Sequence, residues 1–102
     1  MKYINMTPHA IHLNDGRVFE PSGTIARVGS SFTEFADDVC IQVFGEVTDL
    51  SAPEDDVRYI VSGMVLSALK GQRVDAVAPA TGHVDCRRNE KGHIISVPGF
   101  VR

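Results

Sequence analysis

Apolar and polar positions alternate over short runs along most of this chain, and only one stretch carries the three-to-four-residue spacing of a helix. Strand-like runs over residues 3–6 and 10–13 flank Thr7-Pro8, and Pro8, which cannot donate to a ladder, marks a break or an edge. Asn14-Asp15-Gly16 predicts a hairpin turn, because Asn, Asp and Gly tolerate positive φ, and it leads into a strand over 17–20. Pro21-Ser22-Gly23 predicts another turn before a strand over 24–28, in which Ile25 and Arg27 share one face. Residues 39–44 read as the best central strand. There Val39, Ile41 and Val43 alternate with Cys40, Gln42 and Phe44, so both faces are largely apolar.

A loop over 51–56 precedes a strand over 58–61, where Tyr59, Ile60 and Val61 favour the pleated state. Ser62 is a good helix N-cap, and Gly71 is placed to end the helix that runs through Lys70. Met64, Val65, Ala68 and Leu69 form its apolar stripe. The continuing pattern through Ile60 and Val61 also allows an earlier start, capped near Asp56. A strand over 73–78 ends at Pro79, and a last hairpin joins 84–88 to 93–97 through Asn89-Glu90-Lys91-Gly92. The expected fold is mainly β, of α+β type: a compact antiparallel barrel or sandwich with one short helix.

Length and composition set the bounds. A chain of 102 residues predicts a single domain over 1–102, and 43% hydrophobic with 23% charged residues is ordinary globular composition. No run is apolar for long enough to span a membrane, and the N-terminus lacks a signal-peptide stretch, so a cytoplasmic location is expected. Cys40 and Cys86, both in strand-like segments, read as reduced thiols. A net charge of −3 does not suggest a nucleic-acid polymer as partner. Charge is unevenly spread: residues 34–57 hold eight acids and no Lys or Arg, while 71–102 hold five bases and three acids. Such asymmetry reads either as an anion site in the basic part or as solvated faces.

Candidate chemistry is sparse. His9 and His12 are three apart, which on one straight strand sends them to opposite faces; a shared metal would need a turn between them and further ligands such as His83 or His93. No metal or cofactor is expected. Neither cysteine sits in a nucleophile turn, and no glycine-rich phosphate loop occurs, so the chain reads as a binder rather than an enzyme. Arg27, Arg73, Arg87 and Arg88 are the candidates for forking to phosphate, with Arg87 and Arg88 on opposite faces of their strand.

Four segments carry a resemblance. They are Asn5-Met6-Thr7-Pro8-His9-Ala10; residues 21–28; Tyr59-Ile60-Val61-Ser62 with Val65, Ala68, Arg73 and Asp75; and residues 88–94 with Gly99-Phe100. Together they resemble a widespread group of small phage and prophage proteins close to the Thoeris anti-defence sponge proteins of the first described type. The chain departs from that pattern in a shorter central region and in Asn89, where Asp is usual. The resemblance implies a homo-oligomer, dimer or hexamer, that sequesters a cyclic ADP-ribose isomer, and in some members cyclic oligonucleotides, without degrading it. On that reading Tyr59 or Phe100 stacks on the base, and Arg27, Arg73, Arg87 or Arg88 forks to phosphate. Gln72 or Asn89 reads a base edge or ribose hydroxyl. Thr7, His9 and Ser62, within the shared segments, complete the expected ligand set. The alternative is a phage structural or protein-interaction module with no small ligand.

Overall fold

The computed structural model describes residues 1–102. A four-stranded sheet organises the molecule, built from β1 (Lys2–Asn5), β6 (Val57–Ile60), β7 (Ala76–Pro79) and β10 (Phe100–Val101) in the order β1-β6-β7-β10. Three separate two-stranded ribbons accompany it: β2 (Ile11–His12) with β3 (Val18–Phe19), β4 (Arg27–Phe32) with β5 (Gln42–Thr48), and β8 (Arg87–Arg88) with β9 (Ile94–Ser96). The fold is therefore mainly β with one short helix. Its sheets are open rather than closed into a barrel, and the central sheet is not antiparallel throughout, since β1 and β7 both run parallel to β6. The crossover from β6 to β7 carries the helix, which a parallel connection requires.

That helix, α1 (Gly63–Leu69), begins where the sequence says it should. The Ser62 hydroxyl accepts from the Val65 amide at 3.2 Å, satisfying one of the amides that a helix start leaves unpaired. It ends with Lys70 and Gly71 both at positive φ. The earlier start near Asp56 does not occur, because residues 57–60 are strand β6. Val65 and Leu69 are buried, whereas Met64, expected on the same stripe, is 49% exposed. Burying side chains such as Val65 and Leu69 contributes about 1.5–3 kcal/mol each.

Parity along the strands then fixes two faces. Val57, Tyr59 and Ala76 point to the helix side and join Met6, Ala26, Val61, Val65 and Leu69 in the main core. The register pairs Tyr3 with Arg58, Ile60 with Val77, and Phe100 with Pro79. Tyr3, Arg58, Ile60, Val77 and Phe100 consequently project from the opposite face.

The run read as a central strand is the main departure. Strand β5 begins at Gln42, pairs only with β4, and leaves Val39, Ile41 and Val43 exposed. Apolar character on both faces marked an unpartnered arm, not a buried strand. The other strand boundaries shift or shorten as well: the expected strand over 24–28 becomes Arg27–Phe32, that over 73–78 becomes Ala76–Pro79, and that over 84–88 keeps only Arg87–Arg88.

Asn5 knits the N-terminal segment together. Its side-chain amide donates to the carbonyls of His9 (2.8 Å) and Phe19 (2.9 Å), and its Oδ1 accepts from the Thr7 amide at 2.9 Å. Thr7 Oγ1 lies 2.7 Å from the same Oδ1 and 3.1 Å from the His9 carbonyl. Every buried side-chain nitrogen and oxygen in the chain has a partner. No helix is long and apolar enough to cross a membrane.

Candidate ligand-binding cleft

The open end of the face bearing Tyr3, Arg58, Val77 and Phe100 forms a cleft of about 390 Å³. Arg17, from the turn between β2 and β3, and Arg102, after β10, complete its charged lining. Two aromatic rings line it: Tyr3 stacks on Phe100 at 5.2 Å between centroids, and Phe19, outside the lining, supports both at 5.1 and 5.7 Å. Rings in offset or edge geometry contribute about 0.5–1.5 kcal/mol per pair beyond simple burial, so this wall is fixed before a ligand arrives.

Arg58 is half-buried at the centre. One of its amino groups donates to the Tyr3 hydroxyl at 3.1 Å, and its guanidinium carbon lies 5.9 Å from the Tyr3 ring centroid. No carboxylate pairs with it, so most of its donors remain available. Arg17 is held by Asp15 through a 2.9 Å contact from Nε, which leaves its terminal amino groups free. The Asp15 carboxyl is correspondingly held below its usual pKa, chiefly by the hydrogen bond from the Arg17 amide. No Asp, Glu, His, Cys, Ser or Thr side chain lines it. Cationic forks beside aromatic faces can hold a phosphate and stack a base.

The expected ligand residues are distributed differently. Phe100 alone lies in this cleft. Tyr59 is 1% exposed, and its hydroxyl donates to the Ala52 carbonyl at 2.9 Å, so it cannot stack on a base. Burial pushes its phenol pKa up, with the nearby Glu54 and Asp75 charges adding to the effect. Arg73 is a structural cation. It grips Asp75 through two 2.9 Å bonds, donates to the Ser51 carbonyl at 2.8 Å, and lies over the Tyr59 ring at 5.9 Å. Its hydrogen bonds to Asp75 hold that carboxyl below the usual aspartate range and raise the Arg73 pKa further. Tyr59 and Arg73 thus tie the 51–52 loop to the sheet.

Arg88 and Asn89 build the last hairpin. Arg88 donates to the carbonyls of Gly92 (2.8 Å) and Thr81 (3.2 Å), and Asn89 Oδ1 accepts from the Lys91 and His93 amides at 2.9 and 3.0 Å. Arg87 is exposed on the neighbouring position. Gln72 lines a separate cavity under β5. Thr7, Arg27 and Ser62 do meet, around a 480 Å³ hollow between β4 and the helix start, but Arg27 is its only charged group. His9 and His12 line one 350 Å³ cavity, since the chain bends at Thr7–His9 before β2. No group of three or more His, Cys, Asp or Glu side chains is arranged to hold a metal.

Arg58, Arg17, Arg102 and Tyr3 were not expected in a site. One signal was available: Arg58 interrupts an otherwise apolar strand between two positions that point into the core. The others reach the cleft through sheet register, which sequence spacing does not display. Compared with known proteins, the chain matches no family model, no curated protein and no solved structure.

Proposed function

We propose that this protein binds and sequesters a nucleotide-type anion, of the cyclic ADP-ribose or cyclic oligonucleotide class, without degrading it. The observation that carries the reading is the convergence of Arg17, Arg58 and Arg102 on a preformed aromatic wall of Tyr3 and Phe100. Its volume of about 390 Å³ lies within the range of small-molecule sites. In the anti-defence setting that the sequence resemblance implies, binding alone is sufficient in the host cytoplasm, because each molecule held is one fewer free to signal. Recognition divides by chemistry: guanidinium forks take phosphate oxygens, and the aromatic wall takes the base.

Titration calorimetry with cyclic ADP-ribose isomers and cyclic dinucleotides tests this. The expected outcome is a Kd below ~10 μM for at least one of them, equivalent to about −7 kcal/mol. Arg58→Ala should weaken that binding at least ~10-fold, since it removes the central charge-assisted donor. The ligand should be recovered chemically intact after the complex is denatured. Absence of binding across the panel, or recovery of a cleaved product, overturns the reading.

A further inference from the structure

The β4–β5 ribbon is joined to the body at its base, where Val28 and Val47 pack against the core. Beyond them it is a bare arm: β4 and β5 pair with each other and with no other strand. A lone two-stranded ribbon is marginal in water. Thr33 donates its backbone amide to the Ile41 carbonyl at 2.9 Å, so alternation turns the amides and carbonyls of Ser30 and Phe32 outward from β4. The outer edge of β5 is interrupted by a bulge, because Gly45 and Glu46 stand opposite Gly29 alone. The outer edge of β4 stays regular, and residues 28–50 contain none of the Lys, Arg or Pro that would blunt it. Both faces beside that edge are apolar. Register places Ile41 and Val43 on one face and Phe32 and Phe44 on the other, and Phe32 and Ile41 are 65% and 66% exposed. The radius of gyration is 15.2 Å, where a compact chain of this length gives about 13 Å.

Charge selects the occupant. Residues 28–50 carry Glu34, Asp37, Asp38, Glu46 and Asp49 and no base, while the whole chain has a net charge of only −3, so the rest of the molecule is net positive. The tip is Asp37-Asp38, both at positive φ, closed by reciprocal hydrogen bonds between Ala36 and Val39. Two such arms repel each other, and an anionic membrane or a nucleic acid is repelled in the same way. We infer that the outer edge of β4 takes up an extended, basic segment of a different protein as an added strand. The outward amides and carbonyls of Ser30 and Phe32 supply the pairing, the apolar faces receive the segment's apolar side chains, and the arm's acids select its Lys or Arg. None of these residues lines the arginine-bearing cleft, so strand addition and nucleotide binding are separate events.

Fluorescence anisotropy of a labelled decapeptide of alternating Lys and Val tests the inference. The full chain is used at moderate salt without nucleotide, so the outcome is separate from the ligand reading. A Kd below ~100 μM is expected. The same peptide N-methylated at every amide keeps its charges but cannot pair, and it should bind at least ~10-fold more weakly. Ser30→Pro removes an outward amide that no strand of the chain uses, and it should weaken binding at least ~10-fold while circular dichroism stays that of the parent. Glu34→Gln combined with Asp37→Asn and Asp38→Asn, where Asn tolerates the left-handed turn, should weaken it at least ~3-fold. A Kd above ~100 μM for the parent overturns the inference. So does an N-methylated peptide, a Ser30→Pro chain or an acid-depleted arm that binds as the parent pair does. Arm-dependent pelleting with phosphatidylcholine vesicles would overturn it by making the arm a lipid contact. Self-association of the peptide-free chain that Ser30→Pro abolishes would overturn it by making the edge a contact between copies.

Discussion

At the residue scale, the same side-chain types serve two opposite ends in this protein. Arg73 and Arg58 are both sheet-associated arginines next to a tyrosine, yet Arg73 is paired in a largely enclosed site with Asp75, while Arg58 has a phenol for its partner and no carboxylate. The Arg73–Asp75 pair is 21% and 15% exposed at its side chains, so losing one partner leaves a poorly solvated charge. Asp75→Asn should therefore cost about 2–3 kcal/mol of stability in neutral-pH denaturation, with some solvent screening already allowed for. The pH dependence follows from the lowered pKa of Asp75. The unfolded carboxyl takes up its proton first, near the ordinary value of about 3.9, so the pair's contribution is complete above that pH. It declines as the pH falls through the lower folded-state value. Urea titrations from neutral pH down into the acid range should show the parent and Asp75→Asn converging only below the ordinary aspartate pKa. Tyr59→Phe addresses the expected stacking role directly. It should cost about 1 kcal/mol for the lost bond to Ala52, and it should leave nucleotide affinity in calorimetry unchanged.

At the scale of elements, the local signals and the long-range ones separate cleanly. Ser62 was legible as an N-cap because capping is a contact within four residues, and its hydroxyl does accept from Val65. Ser62→Ala should lower the unfolding free energy by about 1 kcal/mol, measured by chemical denaturation. The Asn14-Asp15-Gly16 turn and the Asn89–Gly92 turn were legible for the same reason, since turn chemistry is local. Strand 39–44 was misplaced because apolar residues on both faces mean burial only if something covers them. Nothing in the run itself distinguishes a central strand from an arm awaiting a partner. The ligand cleft was the least legible feature. Tyr3, Arg58 and Phe100 lie far apart in sequence and share a face only through the parallel β1–β6 pairing and the β7–β10 register. The Asn5–His9 segment shows the converse. Its residues looked like a binding motif, but Asn5 and Thr7 spend their hydrogen bonds on each other and on the carbonyls of His9 and Phe19. That segment is a folding device.

At the scale of the whole molecule, charge is sorted rather than spread. The acids gather in the arm and the loop after it, and Arg17, Arg58 and Arg102 gather at one cleft. A cleft of this composition has a definite physical signature. Its affinity for a phosphorylated ligand should fall as ionic strength rises, because exposed guanidinium groups are screened over about 8–10 Å at physiological salt. The most direct measurement of the central claim is an amide and arginine-side-chain NMR titration with a cyclic ADP-ribose isomer or cyclic dinucleotide that binds. The account predicts the largest shifts at Tyr3, Arg17, Arg58, Phe100 and Arg102, including the Arg58 Nε–H, with Arg73 and Arg88 little moved. Shifts centred instead on Thr7, Arg27 and Ser62, or on Arg73 and Arg88, would contradict it.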